Sequence, residues 1–389
     1  MRIDRIEMRH VKLVLIAPFV TSMGVEYDEE HIIVRVDAEG VTGWGESVAE
    51  GTPFYSYETV QTAWHILRDF LIPSVLGKDI ASIDDAIAHG ARVRGHRMAK
   101  AGLEAALWDA FAKAEGKSLS TLLGGTRKRI DVGVSIGIQP SPAELVRKVD
   151  GYLGEGYRRI KIKIAPGSDL ALVEAIRREH PTVPLQVDAN SAYELSDIGI
   201  FRAMDPYGLL LIEQPLSCDD IYDHSKLQAE LKTPICLDES IHSLADARAA
   251  LELKSCRVIN IKPGRVGGFT ESKKIHDLCA SMNIPVWHGG MLESGIGRAG
   301  NVALASLPNF TLPGDISASK RYYKEDIVDP AFEVAADGTM AVPTGPGIGV
   351  NVVVDRLDRV TVRREEFTRG KKDRINPGTS PAASLDEQH

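Results

Sequence analysis

Between residues 130 and 317, short apolar runs alternate with longer amphipathic stretches. The short runs are rich in valine, isoleucine and leucine, and the longer ones place apolar residues at helical spacing. Eight short runs predict strands: 131–138, 159–164, 184–190, 209–215, 234–240, 257–264, 284–290 and 309–317. Strands that alternate with helices pair in parallel, because each crossover needs a connection of helical length. The pattern therefore predicts an α/β fold of the TIM-barrel type rather than an open sheet.

The N-terminal region has a different pattern. Its predicted strands alternate polar and apolar residues, which is typical of antiparallel pairing. The predicted elements are two strands and two helices: 31–38, 43–47, 57–72 and 97–115. The second helix is alanine-rich and is followed by Gly116, a residue that commonly ends helices. We predict a smaller α+β capping domain over residues 1–125, before a barrel over residues 126–320.

The chain continues beyond the predicted barrel. Residues 321–368 are predicted to return to the capping domain. Their run V-N-V-V-V-D at 350–355 is predicted to pair back onto the last barrel strand. Residues 369–389 are rich in lysine, proline, serine and glycine, a composition typical of disordered tails.

Composition limits the classes of function. The chain of 389 residues is 43% hydrophobic and 26% charged, as in ordinary globular proteins. Its net charge of −8 and the lack of a basic tract argue against a nucleic-acid-binding surface. No apolar run predicts a membrane span or a signal peptide. The four cysteines show no C-x-x-C spacing, so we predict reduced thiols in a cytoplasmic protein.

Charged side chains follow five successive predicted barrel strands at a nearly constant interval. Lys163 is followed by Asp188, Glu213 and Asp238 at intervals of 25 residues, and Lys262 comes 24 residues later. This interval is the length of one strand–helix unit, so the five side chains occupy matching heights. They lie at the C-terminal ends of the strands, where barrel enzymes place their chemistry. One such acid alone is equally well explained as a helix cap, but three in register are not.

Three carboxylates that face one another repel unless a cation lies between them. Oxygen ligands favour a hard cation, so the pattern predicts Mg²⁺, with Mn²⁺ as a substitute. A base near neutral pH needs a lowered lysine pKa, and a neighbouring ammonium lowers it. Lys161 lies two residues before Lys163, on the same strand face. This set predicts removal of a proton next to a carboxylate, with the cation stabilising the resulting enediolate.

These residues resemble those of the enolase superfamily, within it the muconate lactonising enzyme subgroup. The resemblance rests on K-I-K at 161–163, the three strand-end acids and N-I-K-P-G around Lys262. More narrowly, A-P-F-V-T-S, G-W-G-E-S, D-A-N-S-A-Y, I-E-Q-P and G-G-M-L-E-S-G-I-G are similar to o-succinylbenzoate synthases and N-succinylamino acid (N-acylamino acid) racemases. The resemblance covers residues 1–365. It implies a modified (β/α)7β barrel with an α+β capping domain.

The resemblance also implies individual roles. The three acids would bind Mg²⁺. Lys163 and Lys262 would be an acid/base pair on opposite faces of the substrate α-carbon. Lys161 would lower the pKa of Lys163 and help to hold the substrate carboxylate.

Eight residues are candidates for contact with the substrate. They are Ser135, Lys161, Asn190, Phe19, Met23, Tyr55, Gly290 and Met291. The segment 16–26 combines Phe19 and Met23 with a glycine, as a lid over an apolar pocket would. Core packing explains aromatic and methionine side chains equally well. A turn explains Asn190, and a tight connection explains the G-G-M segment.

Two reactions share the predicted chemistry. Dehydration to o-succinylbenzoate, in menaquinone biosynthesis, needs one lysine as base and then acid, whereas racemisation of an N-acyl amino acid needs a lysine on each face. A dipeptide epimerase would show D-x-D near the eighth strand, where this chain has only Asp315. A muconate cycloisomerase uses the same lysine pair, so this function remains an alternative. An acid-sugar dehydratase would use His288 with an aspartate partner, and a metabolite sensor would need no lysine pair. We predict a homo-oligomer that binds a small carboxylate.

Overall fold

The computed structural model describes residues 1–369. The capping domain is built on three antiparallel N-terminal strands: β1 (Ile3–Thr21), β2 (Gly24–Ala38) and β3 (Val41–Ser47). Sequence analysis predicted parts of the second and third strands and missed the first. The first is hard to recognise because its buried residues include Glu7 and Arg9 beside Ile6 and Met8.

Five helices follow these strands. They are α1 (Val60–Ile66), α2 (Ile72–Val75), α3 (Ile83–Gly90), α4 (Arg97–Ala114) and α5 (Leu119–Leu123), with a π-helical turn at Leu67–Leu71 between α1 and α2. Of these, α4 packs against β2 and β3. Helix α1 begins after Thr59, whose hydroxyl accepts the Thr62 amide in a capping box. Gly43 in β3 allows α4 to pack at backbone contact, because a Cβ there would lie 2.1 Å from the Ala106 carbonyl oxygen.

The second domain is a parallel barrel, as predicted. After β4 (Arg129–Asp131), seven parallel strands pair in chain order: β5 (Val134–Ile136), β6 (Ile160–Lys163), β7 (Leu185–Asp188), β8 (Ile212–Glu213), β9 (Ile235–Leu237), β10 (Val258–Ile261) and β11 (Val286–His288). The helices of this domain are α6 (Pro142–Gly154), α7 (Leu170–Glu179), α8 (Ile198–Met204), α9 (Tyr222–Glu230), α10 (Leu244–Glu252), α11 (Pro263–Val266), α12 (Phe269–Ser281) and α13 (Gly295–Ala305). Short 3-10 turns occupy Leu195–Asp197, Asp205–Tyr207 and Ser319–Arg321.

The eighth predicted strand, 309–317, closes the ring without forming a regular ladder. Phe310 makes a single parallel bridge to Val286 of β11, and Gly314 bridges Val132 at the start of the barrel. Pro313, within this segment, has no amide hydrogen and cannot donate to a ladder. The segment therefore joins the last strand to the first through isolated bridges, and the (β/α)7β barrel with its capping domain is confirmed.

The C-terminal region contributes small additions to both domains. Its elements are β12 (Val328–Asp329), β13 (Thr339–Ala341), β14 (Asn351–Val352), α14 (Val354–Val360) and β15 (Thr361–Thr368). Strand β15 pairs antiparallel with β1, and β13 pairs with β4. The predicted pairing of 350–355 with the last barrel strand is wrong, because β14 pairs with β12 instead. The domain boundaries stay a prediction. Of the predicted disordered tail, residues 370–389 lie outside the described residues.

All four cysteines are free thiols, and three of them are buried. None of the helices in residues 1–369 has the length and apolar character that crossing a bilayer requires.

Candidate active site

The five strand-end side chains lie together at one end of the barrel. Lys163, Asp188 and Glu213 end three neighbouring strands and are paired in register. Asp238 follows β9 and Lys262 follows β10. All five are buried. We refer to these five residues and Lys161 as the floor.

Both lysines of strand β6 point toward Asp188. The Lys161 Nζ lies 2.9 Å from Asp188 Oδ2, 2.8 Å from Glu213 Oε2 and 2.6 Å from Asp315 Oδ2. The Lys163 Nζ lies 2.7 Å from the same Asp188 oxygen. Burial lowers the pKa of Lys161, but the three carboxylates raise it well above its ordinary value. Lys161 is therefore a permanent cation. The expected effect of Lys161 on Lys163 stays a prediction.

The two neighbouring carboxyl groups have opposite pKa shifts. Burial alone would raise the pKa of Asp188, but Lys161 and Lys163 lower it well below its ordinary value. Burial and the charge of Asp188 raise the pKa of Glu213 to about 7, although Lys161 opposes this. The Asn260 amide also donates to Glu213 Oε1 at 2.7 Å. Asp188 is therefore ionised, and an added cation would have its larger effect on Glu213, whose ionised form it would stabilise.

The opposite side of the floor is built around Asp238. The Lys262 Nζ lies 2.8 Å from Asp238 Oδ2, and the Tyr55 hydroxyl donates to Asp238 Oδ1 at 3.0 Å. Lys262 also donates to the Tyr55 oxygen at 3.0 Å. Burial lowers the pKa of Lys262, but Tyr55 and nearby acids raise it above its ordinary value. Arg265 contacts Asp238, not Lys262.

Residues just behind the floor hold these side chains in place. Asn190 accepts from Lys163 Nζ at 2.6 Å and donates to Glu239 Oε1 at 3.0 Å. It also has a left-handed backbone, with φ 42°, as a turn residue would, and its contact with the substrate stays a prediction. The Gln214 Oε1 accepts the Asp238 amide at 3.0 Å. A Cβ at position 289 would lie 2.6 Å from the Lys262 Cε, so Gly289 leaves room for this lysine.

A cavity opens above the floor. All eight residues predicted to contact substrate line it, together with Lys163 and Lys262. Phe19 and Met23 lie in the β1–β2 hairpin, and both are half-buried. Phe54, which precedes Tyr55 in the chain, is 67% exposed and does not line the cavity.

Comparisons with known proteins match both domains. Residues 5–124 match the mandelate racemase / muconate lactonizing enzyme N-terminal domain, and residues 144–356 match the enolase C-terminal domain-like family. The chain belongs to this enzyme family. It is 51% identical to an o-succinylbenzoate synthase of Geobacillus kaustophilus over 94% of this chain and 98% of that protein. It is 48% identical to an N-succinylamino acid racemase of Amycolatopsis over 94% and 99%. A crystal structure of an enolase superfamily member from Listeria innocua, 43% identical, superposes with TM-score 0.91 over 95% and 99%.

Sequence analysis missed three acidic residues that line the cavity of this enolase superfamily protein: Glu26, Glu50 and Asp315. Asp315 continues the floor spacing. His288 comes 26 residues after Lys262, and Asp315 comes 27 residues after His288. Extending the spacing would have found it. Glu26 and Glu50 belong to the capping domain, where no repeat marks positions that face the barrel.

His288 does not belong to the site. Its ring is buried, and its two nitrogens have no hydrogen-bond partner among residues 1–369. Burial lowers its pKa to about 3, so the imidazole is neutral. His288 packs near Phe310 and does not line the cavity, which argues against the acid-sugar dehydratase interpretation.

The floor fits a hard divalent cation by the chemistry of its donors. Asp188, Glu213 and Asp238 supply only carboxylate oxygens, from adjacent strands. The Asp238 Oδ2 is buried without a hydrogen-bond partner among the described residues, although Lys262 lies 2.8 Å away. Residues 1–369 contain no preformed cluster of three or more His, Cys, Asp or Glu side chains that could hold a metal. A cation would therefore replace ammonium contacts that now neutralise these acids.

Proposed function

We propose that this enzyme removes the proton α to the carboxylate of a small molecule, through an enediolate, as an o-succinylbenzoate synthase, an N-acylamino acid racemase, or both. The observation that carries the proposal is the placement of Lys163 and Lys262 in one cavity. Lys163 ends the second member of an eight-membered ring and Lys262 follows the sixth, four positions apart. An α-carbon between them would have one lysine on each face.

The two lysines would share the proton transfers differently in the two reactions. In racemisation, one lysine removes the proton from one face and the other delivers a proton to the opposite face. In dehydration, one lysine acts first as base and then as acid toward the leaving hydroxyl, while the other stabilises the anion. Asn190 orients Lys163, and Tyr55 orients Lys262.

Asp188, Glu213 and Asp238 would hold Mg²⁺, with Mn²⁺ as a substitute. The bound cation would supply positive charge that stabilises the enediolate. Lys161 contacts two of these acids and would keep them oriented. Its ammonium also lines the cavity, where it would attract the substrate carboxylate.

One experiment in deuterated water tests the reaction class. The protein is incubated with Mg²⁺ and either N-succinylamino acids or the cyclohexadiene precursor of o-succinylbenzoate. Proton NMR follows α-proton exchange, and absorbance follows dehydration. We expect at least one of the two. The absence of both with Mg²⁺ present would reject the proposal.

The geometry weakens the competing functions. A dipeptide epimerase needs acids near the eighth strand that are free to bind the substrate α-ammonium, but Asp315 in that segment contacts the Arg159 guanidinium and the Lys161 ammonium, each at 2.6 Å. A muconate cycloisomerase shares the lysine pair, so muconate belongs among the tested substrates. A metabolite sensor would not need a lysine on each side of its ligand.

We also propose a cytoplasmic homo-oligomer. The free, mostly buried thiols support a reducing compartment. Closed symmetric assemblies are the usual state of soluble enzymes. Light scattering on the purified protein tests the oligomeric state.

A further inference from the structure

The upper part of the cavity carries acids that the proposed reaction does not use. Glu26 lies on β2 and Glu50 follows β3, and both line the cavity above Lys163 and Lys262. Glu29 lies behind Glu26 and is buried. We refer to Glu26, Glu29 and Glu50 as the acidic roof.

Glu29 and Glu26 interact as an acid and its acceptor. Burial and the charge of Glu26 raise the pKa of Glu29 well above its ordinary value, so Glu29 keeps its proton. Glu29 donates a hydrogen bond to Glu26, which lowers the pKa of Glu26. Burial has the larger effect, so the pKa of Glu26 is raised above its ordinary value. The Glu29 Oε1 is buried and has no hydrogen-bond partner in the described part of the chain. Glu29 does not line the cavity, and its other oxygen, Oε2, lies 3.9 Å from the His31 Nε2.

The buried His31 imidazole is the group inside the protein whose positive charge acts most strongly on Glu50, but the two form no ion pair. Among residues 1–369, no Lys, Arg or His side chain forms an ion pair with the Glu50 carboxylate, which is half-buried. Burial and Glu26 raise the pKa of Glu50 to about 7. Lys163 and Lys262 act on it electrostatically, but both ammonium groups are already paired with the floor acids.

The cavity is therefore polarised, with ammonium groups at the floor and carboxyl groups at the roof. We propose that the roof binds a cationic side chain, so that the preferred substrates are N-acyl derivatives of basic amino acids. The substrate carboxylate would face the floor, and its ammonium or guanidinium would face Glu50 and Glu26. Phe19 and Met23, which line the same cavity, would contact the methylene stem. This inference rests on the proposed function and specifies its substrate class.

The test compares two substrates that differ in one charge. Nα-acetyl-lysine and N-acetyl-norleucine share a linear four-carbon stem, and only lysine carries the terminal ammonium. Racemisation of both is followed by polarimetry with Mg²⁺ present. We expect wild-type kcat/KM to favour Nα-acetyl-lysine by about tenfold. Glu50→Gln should reduce this ratio about tenfold, and Glu26→Gln should reduce it less.

Two further variants make the result specific. Glu39→Gln removes a charge at the end of β2, outside the cavity, and should leave the ratio unchanged. Circular dichroism verifies folding, and Glu50→Met replaces Glu50→Gln if the latter is unfolded. A wild-type ratio of one or less, or the same ratio in the Glu50 variants, would overturn the inference while activity on N-acetyl-norleucine upholds the proposed function. Loss of racemisation, exchange and dehydration with every substrate would overturn both.

Discussion

The floor and the roof of the cavity are built in different ways. Floor residues end barrel strands in register, and their charges are paired at distances below 3 Å. Roof residues lie on a hairpin and a loop of the capping domain, and Glu50 has no ion-pair partner among the described residues. The rigid floor suits proton transfer, which needs fixed geometry. The roof suits selection, because loop residues can differ without disturbing the reacting groups.

Removing either floor lysine should have the largest effect. In Lys163→Ala or Lys262→Ala, one face of the α-carbon loses its proton donor or acceptor, so racemisation should fall by about 10³-fold or more. The remaining lysine should still exchange the α-proton of the enantiomer that it faces, without inversion. Proton NMR in deuterated water measures exchange for each enantiomer separately.

The two lysine variants should spare opposite enantiomers. Lys128→Ala, which removes an exposed lysine before the barrel, serves as the control and should racemise normally. Equal exchange of both enantiomers by either floor variant would show that the lysines do not face each other across the substrate.

Metal removal tests the acidic half of the floor. Excess chelator should abolish activity, and Mg²⁺ or Mn²⁺ should restore it. Glu213→Gln keeps the side-chain shape but removes a negative ligand, so Mg²⁺ affinity should fall by about 100-fold. Calorimetric titration measures the affinity directly. Glu230→Gln, on the exposed side of α9, is the matched control. Full activity in chelator would contradict the metal assignment.

The floor could be predicted from sequence because strand–helix units repeat. The interval of about 25 residues located Lys163, Asp188, Glu213, Asp238 and Lys262, and the structure places all five together. Their present partners could not be predicted in the same way. The contact of Lys161 with Asp315 joins β6 to the irregular eighth segment, whose ring closure depends on isolated bridges around Pro313.

The acids of the roof could not be recognised as cavity residues from the sequence. The sequence predicts Phe19 and Met23 as lid residues because the segment 16–26 combines them with a glycine, and both line the cavity. Glu26 and Glu50 look like ordinary surface acids in sequence. Only the docking of the capping domain onto the barrel brings them above the lysines, and no local pattern encodes that distance.

A lid substitution should alter preference more than chemistry. Met23→Ser removes apolar contact with the distal part of the substrate, so relative kcat/KM among N-acyl groups should change by about five- to tenfold. Mg²⁺ affinity should stay constant, because the substitution removes none of the proposed metal ligands. Met282→Ser, at the exposed end of α12, is the control. An unchanged preference among acyl groups would mean that Met23 does not act as a lid residue.

The smallest expected effect concerns how the hairpin is held over the floor. The Ser22 hydroxyl donates to the Ala189 carbonyl at 3.2 Å and to the Asn190 carbonyl at 3.4 Å, and the Ile138 amide donates to the Val20 carbonyl at 2.8 Å. Ser22→Ala removes the hydrogen bonding of this hydroxyl, which contributes about 1 kcal/mol, and leaves the backbone bond, so KM should rise about two- to fivefold with little change in kcat.

Ser225→Ala is the matched control for this hydrogen bond. It removes a similar hydroxyl-to-carbonyl bond, from Ser225 to Tyr222 at 2.6 Å on an outer barrel helix, and should leave KM unchanged. If Ser22→Ala instead lowers kcat and leaves KM intact, the hairpin would be positioning the reacting groups and the division between roof and floor would be too sharp. If neither constant changes, the remaining backbone bond at Val20 is sufficient to hold the closed hairpin, and selection depends on cavity contacts alone.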